Sequence, residues 1–150
     1  DVNDSLYHSF ERNINATAII AQFDSEKKQM DLVNAGQHAL PLLKRNSSVA
    51  PILARGFPLG MKTSISYKPI TIQLQPGDLL LFMTDGITEP HNSAGLMYEE
   101  SGRLHQLITQ LKDDLTAEEI VETIIEDVID FMEDDEKQND DITLLAVKVV

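Results

Sequence analysis

Two places in the chain put carboxylates where a strand would end. Asp85 stands in Thr84-Asp85-Gly86, directly after the apolar run Leu79–Met83. A second pair stands in Asn139-Asp140-Asp141-Ile142-Thr143, just ahead of an alternating segment that runs to Val150. Consecutive acids entering a sheet are costly unless hydrogen-bonded or bound to a cation. If the two strands are antiparallel neighbours, the C-terminal end of one lies beside the start of the other. Asp85 and Asp140 or Asp141 would then converge. Oxygen donors without sulfur suit a hard cation such as Mg²⁺ or Mn²⁺ that keeps several waters. Taken singly, Thr-Asp-Gly is also a common turn, and Asp-Asp is also a common helix-to-strand connector. Both structural readings stay open at this level.

Other chemistries lack their spacing. His38 and His91 fall in expected loops, His105 on an expected helix and His8 near the start. No His-x-x-x-His or His-Glu-x-x-His pair is present, which disfavours a zinc hydrolase. There is no Gly-x-Ser-x-Gly elbow. Nor is there a Gly-x-Gly-x-x-Gly or Gly-Lys-Ser/Thr loop to cradle a nucleotide.

The elements that must carry these acids follow from periodicity. Asn15 to Phe23 reads as a strand, Asp24–Lys27 as a turn, and Met30 to Val33 as the returning arm of a hairpin. Leu40 to Lys44 is a short third strand, followed by a turn at Asn46-Ser47-Ser48. Ile65 to Leu74 is a partly alternating strand in which Pro69 argues for an edge or a bulge. Gln75-Pro76-Gly77-Asp78 is a turn signal. Leu79 to Met83 is a buried strand. Two helices come next. The first spans about Ser101 to Leu111, with Leu104, Leu107, Ile108 and Leu111 at helical spacing. The second opens at Thr116 with Glu119 three positions on, a capping box. Its apolar stripe is Ile120, Ile124, Val128 and Phe131, and its outer face carries Glu118, Glu122, Glu126, Asp130 and Glu133. That outer face reads as solvated helix surface. A polar loop over Asp134–Asn139 leads into a final alternating strand, Asp141 to Val150.

Composition bounds the class. The 150 residues are one domain's worth. The absence of cysteine excludes a disulfide scaffold, a thiolate zinc site and a cysteine nucleophile. No run approaches the ~18 apolar residues of a membrane-spanning helix. The opening Asp1-Val2-Asn3-Asp4 is no signal peptide. It has no initiator Met, so the chain reads as a piece of something longer. Of the net charge of −13, residues 113–150 carry −12, from 14 acids and two bases. No basic face for nucleic acid is visible, and anionic membrane is disfavoured as a partner. The acidic third is either a solvated surface or a place where cations gather.

One family carries these motifs in this order. The set Asn34-Ala35-Gly36, Pro58-Leu59-Gly60, Leu74-x-Pro76-Gly77-Asp78, Thr84-Asp85-Gly86-Ile87-Thr88-Glu89 and Asp140-Asp141-Ile142-Thr143 resembles the SpoIIE-type branch of the metal-dependent type 2C (PPM) serine/threonine protein phosphatases. The resemblance runs from about Asn15 to Val150. It implies an α+β fold, a two-sheet β-sandwich flanked by helices (α-β-β-α). It also implies two Mn²⁺ or Mg²⁺ ions, and a metal-activated water that hydrolyses phosphoserine or phosphothreonine. The metal set so implied is Asp85 and Asp140, with Asp141 adjacent as a ligand or a support. Gly86, the family's tight-turn glycine, belongs to the same site. Thr88 and Glu89 shape the loop, and Ala35-Gly36 let a strand pass close to its neighbours. The partner implied is a phosphorylated anti-anti-sigma-like protein in cytoplasmic stress signalling, with sensor or regulatory domains upstream in the same chain.

Two departures qualify the match. Ala35-Gly36-Gln37-His38-Ala39-Leu40-Pro41 has one residue more before its histidine than the family pattern, so His38 receives no catalytic role. The family's first acidic motif, Asp-x-x-Gly-His-Gly, has no counterpart in residues 1–14. Residues 1–150 therefore read as a partial SpoIIE/PPM-type domain, its C-terminal two-thirds. Losing a bridging carboxylate weakens metal binding. Open strand edges would invite pairing with another chain, a homodimer included. The competing expectation is a catalytically impaired PPM-like module that holds a partner without turnover. If the full-length protein is a phosphatase, Asp85→Asn cuts its activity severely while Glu122→Gln leaves it nearly unchanged. Equal losses in a phosphate-release assay would overturn the assignment of Asp85.

Overall fold

The computed structural model describes residues 2–9, 14–133 and 141–150. The fold is α+β, with two antiparallel sheets and accompanying helices. The chain divides into two compact units, residues 1–38 with 53–74 and residues 39–52 with 75–150. Among the described residues, no helix is long and apolar enough to cross a membrane.

The first unit holds helix α1 (Val2–Ser9) and strands β1 (Ala18–Asp24), β2 (Gln29–Ala35) and β5 (Ile70–Gln73), in the sheet order β1-β2-β5. The expected hairpin forms, with Ala18 opposite Ala35 and Asp24 opposite Gln29. At its turn, Asp24 accepts the backbone N–H groups of Glu26 and Lys27. The strand expected over Ile65–Leu74 is shorter, because it starts only after Pro69 and takes an edge position. Proline has no N–H for a ladder, so the regular pairing begins beyond it.

Helix α1 was not foreseen, because its sequence has no apolar stripe. It is fixed through Asn3, which is buried. The Asn3 amide donates to the Lys62 carbonyl at 2.9 Å, and its oxygen accepts the Gly60 N–H at 3.1 Å. Two of the sequence motifs meet in this unit. Gly36 has φ +83°, and a Cβ there would lie 2.6 Å from Pro58. Only glycine meets both conditions.

The second unit holds β3 (Leu42–Arg45), β4 (Ser48–Pro51), β6 (Leu79–Met83), α2 (Asp85–Thr88), α3 (Arg103–Gln110), α4 (Ala117–Met132) and β7 (Leu144–Lys148). The sheet order is β4-β3-β6-β7, antiparallel throughout. Strand β4 replaces part of the expected Asn46-Ser47-Ser48 turn, since only Asn46 and Ser47 are needed to reverse the chain. Asn46 adopts φ +54°, a conformation asparagine tolerates better than most residues. Central β6 is almost wholly buried, as a five-residue apolar run should be. Helix α4 begins at Thr116, whose hydroxyl accepts the Glu119 N–H while the Glu119 carboxylate accepts the Thr116 N–H. Its stripe Ile120, Ile124, Val128 and Phe131 is buried in one core with Leu79, Leu81, Met83, Ile87 and Tyr98. Each fully buried side chain of this kind contributes about 1.5–3 kcal/mol. Arg103 of α3 grips Asp127 of α4 through Nε at 2.9 Å and Nη2 at 2.8 Å. The Tyr98 hydroxyl donates to the same carboxylate. Burial and that neighbour push the Tyr98 hydroxyl well above the ordinary tyrosine range.

The turn before β6 holds a buried charge. Asp78 is 1% exposed and accepts both Nε and Nη2 of Arg45, at 2.8 and 2.7 Å, plus the Gln75 N–H at 2.8 Å. Burial pushes its carboxyl up. The Arg45 fork and the Gln75 amide outweigh that and hold it below the ordinary aspartate range. A folded-state value lowered in this way gives stability that is present above the unfolded value and is lost as pH falls through the folded one. Thermal melts should therefore show stability declining below about pH 4. Asp78→Asn should flatten that decline and cost roughly 2–3 kcal/mol at neutral pH, less than for a fully buried pair because Arg45 is a third exposed. An unchanged pH profile in the variant would remove Asp78 as its source.

Candidate functional site

The candidate site belongs to the second unit and is built on the β6–β7 pairing. Leu79 sits opposite Lys148 and Met83 opposite Leu144. Continuing that register brings Thr84 beside Thr143. The Thr84 N–H donates to the Thr143 carbonyl at 3.1 Å. The Thr84 hydroxyl accepts the Thr143 N–H and donates to the Asp141 carbonyl, each at 3.1 Å. One threonine thus clasps the exit of β6 to the entry of β7. Asp85, half-buried, follows the clasp on one side, and Asp141, exposed, precedes it on the other.

Gly86 explains how close the two segments come. A Cβ on Gly86 would lie 2.4 Å from the Asp141 carbonyl oxygen and 3.3 Å from the Ile142 Cα. These are backbone atoms that cannot swing aside. The glycine is required here by space, where Gly36 is required also by its dihedral angle. Asp85 and Gly86 open a four-residue helix, α2, with Thr84 as its N-cap. The sequence suggested only a turn. The Glu89 N–H returns to the Asp85 carbonyl at 2.8 Å, and the Glu99 N–H to the Thr88 carbonyl at 3.0 Å. Thr88 is buried and Glu89 exposed, which suits their expected place in shaping the loop.

The remaining predicted ligand, Asp140, lies outside the described residues, as does the loop expected over Asp134–Asn139. Among the described residues, no group of three or more His, Cys, Asp or Glu side chains could hold a metal ion. Among the described residues, Asp85 and Asp141 are candidate oxygen donors at these strand mouths, and two carboxylates alone do not complete the shells of two ions. Sequence reasoning missed the hydroxyl of Thr84. Its type was visible, but its role depends on which strand β6 pairs with. Asn34, read only as part of a strand motif, is buried and donates to the Gln37 and Ala54 carbonyls in the first unit.

The family model for Stage II sporulation protein E (SpoIIE) matches residues 1–150. Among curated proteins, the chain is 25% identical over 149 residues to the phosphoserine phosphatase RsbU of Bacillus subtilis (strain 168), covering 96% of this chain and 43% of RsbU. It is 24% identical over 132 residues to protein IcfG of Synechocystis sp. (strain ATCC 27184 / PCC 6803 / Kazusa), covering 88% of this chain and 20% of IcfG. The chain thus spans less than half the length of these curated relatives. Among solved structures, the SiaA-PP2C domain of Pseudomonas aeruginosa superposes with a TM-score of 0.81 at 18% identity, over 99% of this chain and 58% of that one. The PP2C phosphatase domain of SpoIIE from Bacillus subtilis, with a fragment of its regulatory domain, gives 0.77 at 24% identity, over 98% and 42%. At these identities the structures show a shared fold.

The close approach at Gly86 can be tested directly. Gly86→Ala should destabilise the protein by roughly 1–3 kcal/mol in urea melts, the usual cost of overpacking. Gly95→Ala is a useful contrast. Its φ of +78° strains alanine, but its Cβ would meet nothing within 4 Å. A neutral Gly86→Ala would mean that the two strand mouths do not touch as described.

Proposed function

The chain belongs to the SpoIIE family, in the PPM protein-phosphatase branch, and from that premise we propose that residues 1–150 act as a catalytically impaired PPM-like module that binds a regulatory partner protein in bacterial signalling. The observation that carries this reading is the short donor set. The Thr84 clasp and the close approach of Gly86 set the Asp141 backbone beside the segment that follows β6, yet no group of three or more candidate ligands forms among the described residues. A hard cation such as Mg²⁺ held by one or two carboxylates usually keeps several waters and takes substrate phosphate oxygens as further ligands. The partner is an anti-anti-sigma-like protein, the class that the family resemblance implies. Residues 1–150 are then a partial PPM-type domain, cytoplasmic, with regulatory domains upstream.

A second reading has its own support. The Thr84 clasp and the space-limited Gly86 hold the two acidic segments in a fixed relation, a degree of order that binding alone does not demand. RsbU, which aligns over 96% of the chain, is a phosphoserine phosphatase. On this reading a longer chain supplies the missing ligands and hydrolyses phosphoserine or phosphothreonine on the same partner.

Mn²⁺ calorimetry and phosphate release from a phosphoserine protein separate the two, using this chain, Asp85→Asn and Asp140→Asn. The impaired-module reading expects Mn²⁺ uptake that is weak and indifferent to either substitution, with no Mn²⁺-dependent phosphate release. Tight uptake and turnover, both lost in Asp85→Asn, would overturn it in favour of the phosphatase.

A further inference from the structure

Helix α2 carries Asp85 at its first position and is only four residues long. So short a helix has little stability of its own, and its placement is set by whatever holds its ends. The N-terminal end is held at β7, by the Thr84 clasp and the close approach of Gly86. The C-terminal end is held by the loop that leads to α3. There the Glu99 N–H donates to the Thr88 carbonyl at 3.0 Å, and the Tyr98 N–H to the Pro90 carbonyl at 2.8 Å.

The loop is in turn anchored by one buried side chain. Tyr98 is fully buried, and its hydroxyl donates to Asp127 of α4. Its ring meets the Phe131 ring edge-on, with centroids 5.1 Å apart. Ser101 closes the loop from the other side, its hydroxyl donating to the Tyr98 carbonyl and accepting the Arg103 N–H. Asp127 does not need the tyrosine for charge balance. Arg103 already gives it both Nε and Nη2, and a guanidinium fork neutralises a carboxylate by itself. Nor does the core need the hydroxyl, since phenylalanine would fill the same space with no polar atom to satisfy. What the hydroxyl adds is a directed tie from α4, through the loop, to the far end of α2.

We propose that Tyr98 and Asp127 are positioning residues for Asp85. The bond between them fixes the loop on α4, the loop fixes the C-terminal end of α2, and α2 then presents Asp85 at the mouth of β6. Both residues lie in the same compact unit as Asp85, so the tie runs wholly within it. This placement serves function only if Asp85 is an oxygen donor of the candidate site, the reading on which the proposal rests.

The test is NMR on the chain in EDTA, read at the backbone amides and at the side-chain carboxyl carbon of Asp85. In Tyr98→Phe, the Glu89 and Glu99 amides should exchange about tenfold faster once the change at Leu81 of β6 is divided out, as expected for one lost hydrogen bond. The Asp85 carboxyl resonance should shift, whereas that of Asp78, at the opposite end of β6, should not. Asp127→Ala should reproduce both effects, and Tyr98→Phe decides alone if that variant fails to fold. Asp127→Asn keeps an acceptor for the tyrosine hydroxyl and should lie closer to wild type than Asp127→Ala. Asp130→Asn removes the other carboxylate on Arg103, leaves Tyr98 untouched and should change neither readout. A Tyr98 that only stabilises the core would speed Glu89, Glu99 and Leu81 alike and leave the Asp85 resonance in place. That result overturns the proposal, as does an equal response to Asp130→Asn or the absence of rescue in Asp127→Asn. Because EDTA removes metal, these outcomes are independent of the Mn²⁺ experiment.

Discussion

Strand β6 has a neighbour on each side, β3 and β7, and every feature of the candidate site depends on the second pairing. Thr84 and Asp141 are 57 positions apart along the chain. Antiparallel hydrogen bonding brings them together with no further device, because the end of one strand must lie beside the start of the other. Register then decides which residues meet. A slip of one position would turn every β7 side chain to the opposite face. It would also remove Thr143 from the reach of the Thr84 hydroxyl. The close fit of Gly86 against the Asp141 carbonyl adds a second check on the same register.

The same strand is bracketed by two acids with different surroundings. Asp78, before it, is buried and neutralised by the Arg45 fork in the adjoining strand β3. Asp85, after it, is half-buried and makes no ion pair among the described residues. Burying a charge is tolerable when partners replace its water. At Asp78 those partners also fix the turn that feeds β6. At Asp85 the backbone is fixed by its neighbours while the carboxylate stays partly solvated.

Legibility in the sequence followed the range of the interactions. Leu79–Met83 and the stripe from Ile120 to Phe131 announced themselves because burial repeats along the local chain. Thr116 and Glu119 did so because a capping box is complete within four residues. The α+β class and the two-sheet arrangement came with the family resemblance that the order of the motifs carries. Helix α1 was hidden because its anchor, Asn3, acts on Gly60 and Lys62, far along the chain. Strand β4 was hidden because Ser48 and Pro51 are poor strand signals, and pairing with β3 overrides them. The Arg45–Asp78 pair and the Thr84 clasp were hidden for a related reason. Each depends on strand order, which no local pattern reveals.

The long reach between β6 and β7 also bears on how the protein is made. Thr84 and Thr143 lie 59 positions apart. At a synthesis rate of about 5–20 residues per second, roughly 3–12 s pass between the two leaving the peptidyl-transferase centre. During that interval β6 can pair with β3, but its other edge, one of the most apolar stretches of the chain, has no strand beside it. Such an edge is a template for pairing with another nascent chain. The burden on chaperones during translation should therefore fall mainly on Leu79–Met83, and it should end when β7 emerges from the ribosome.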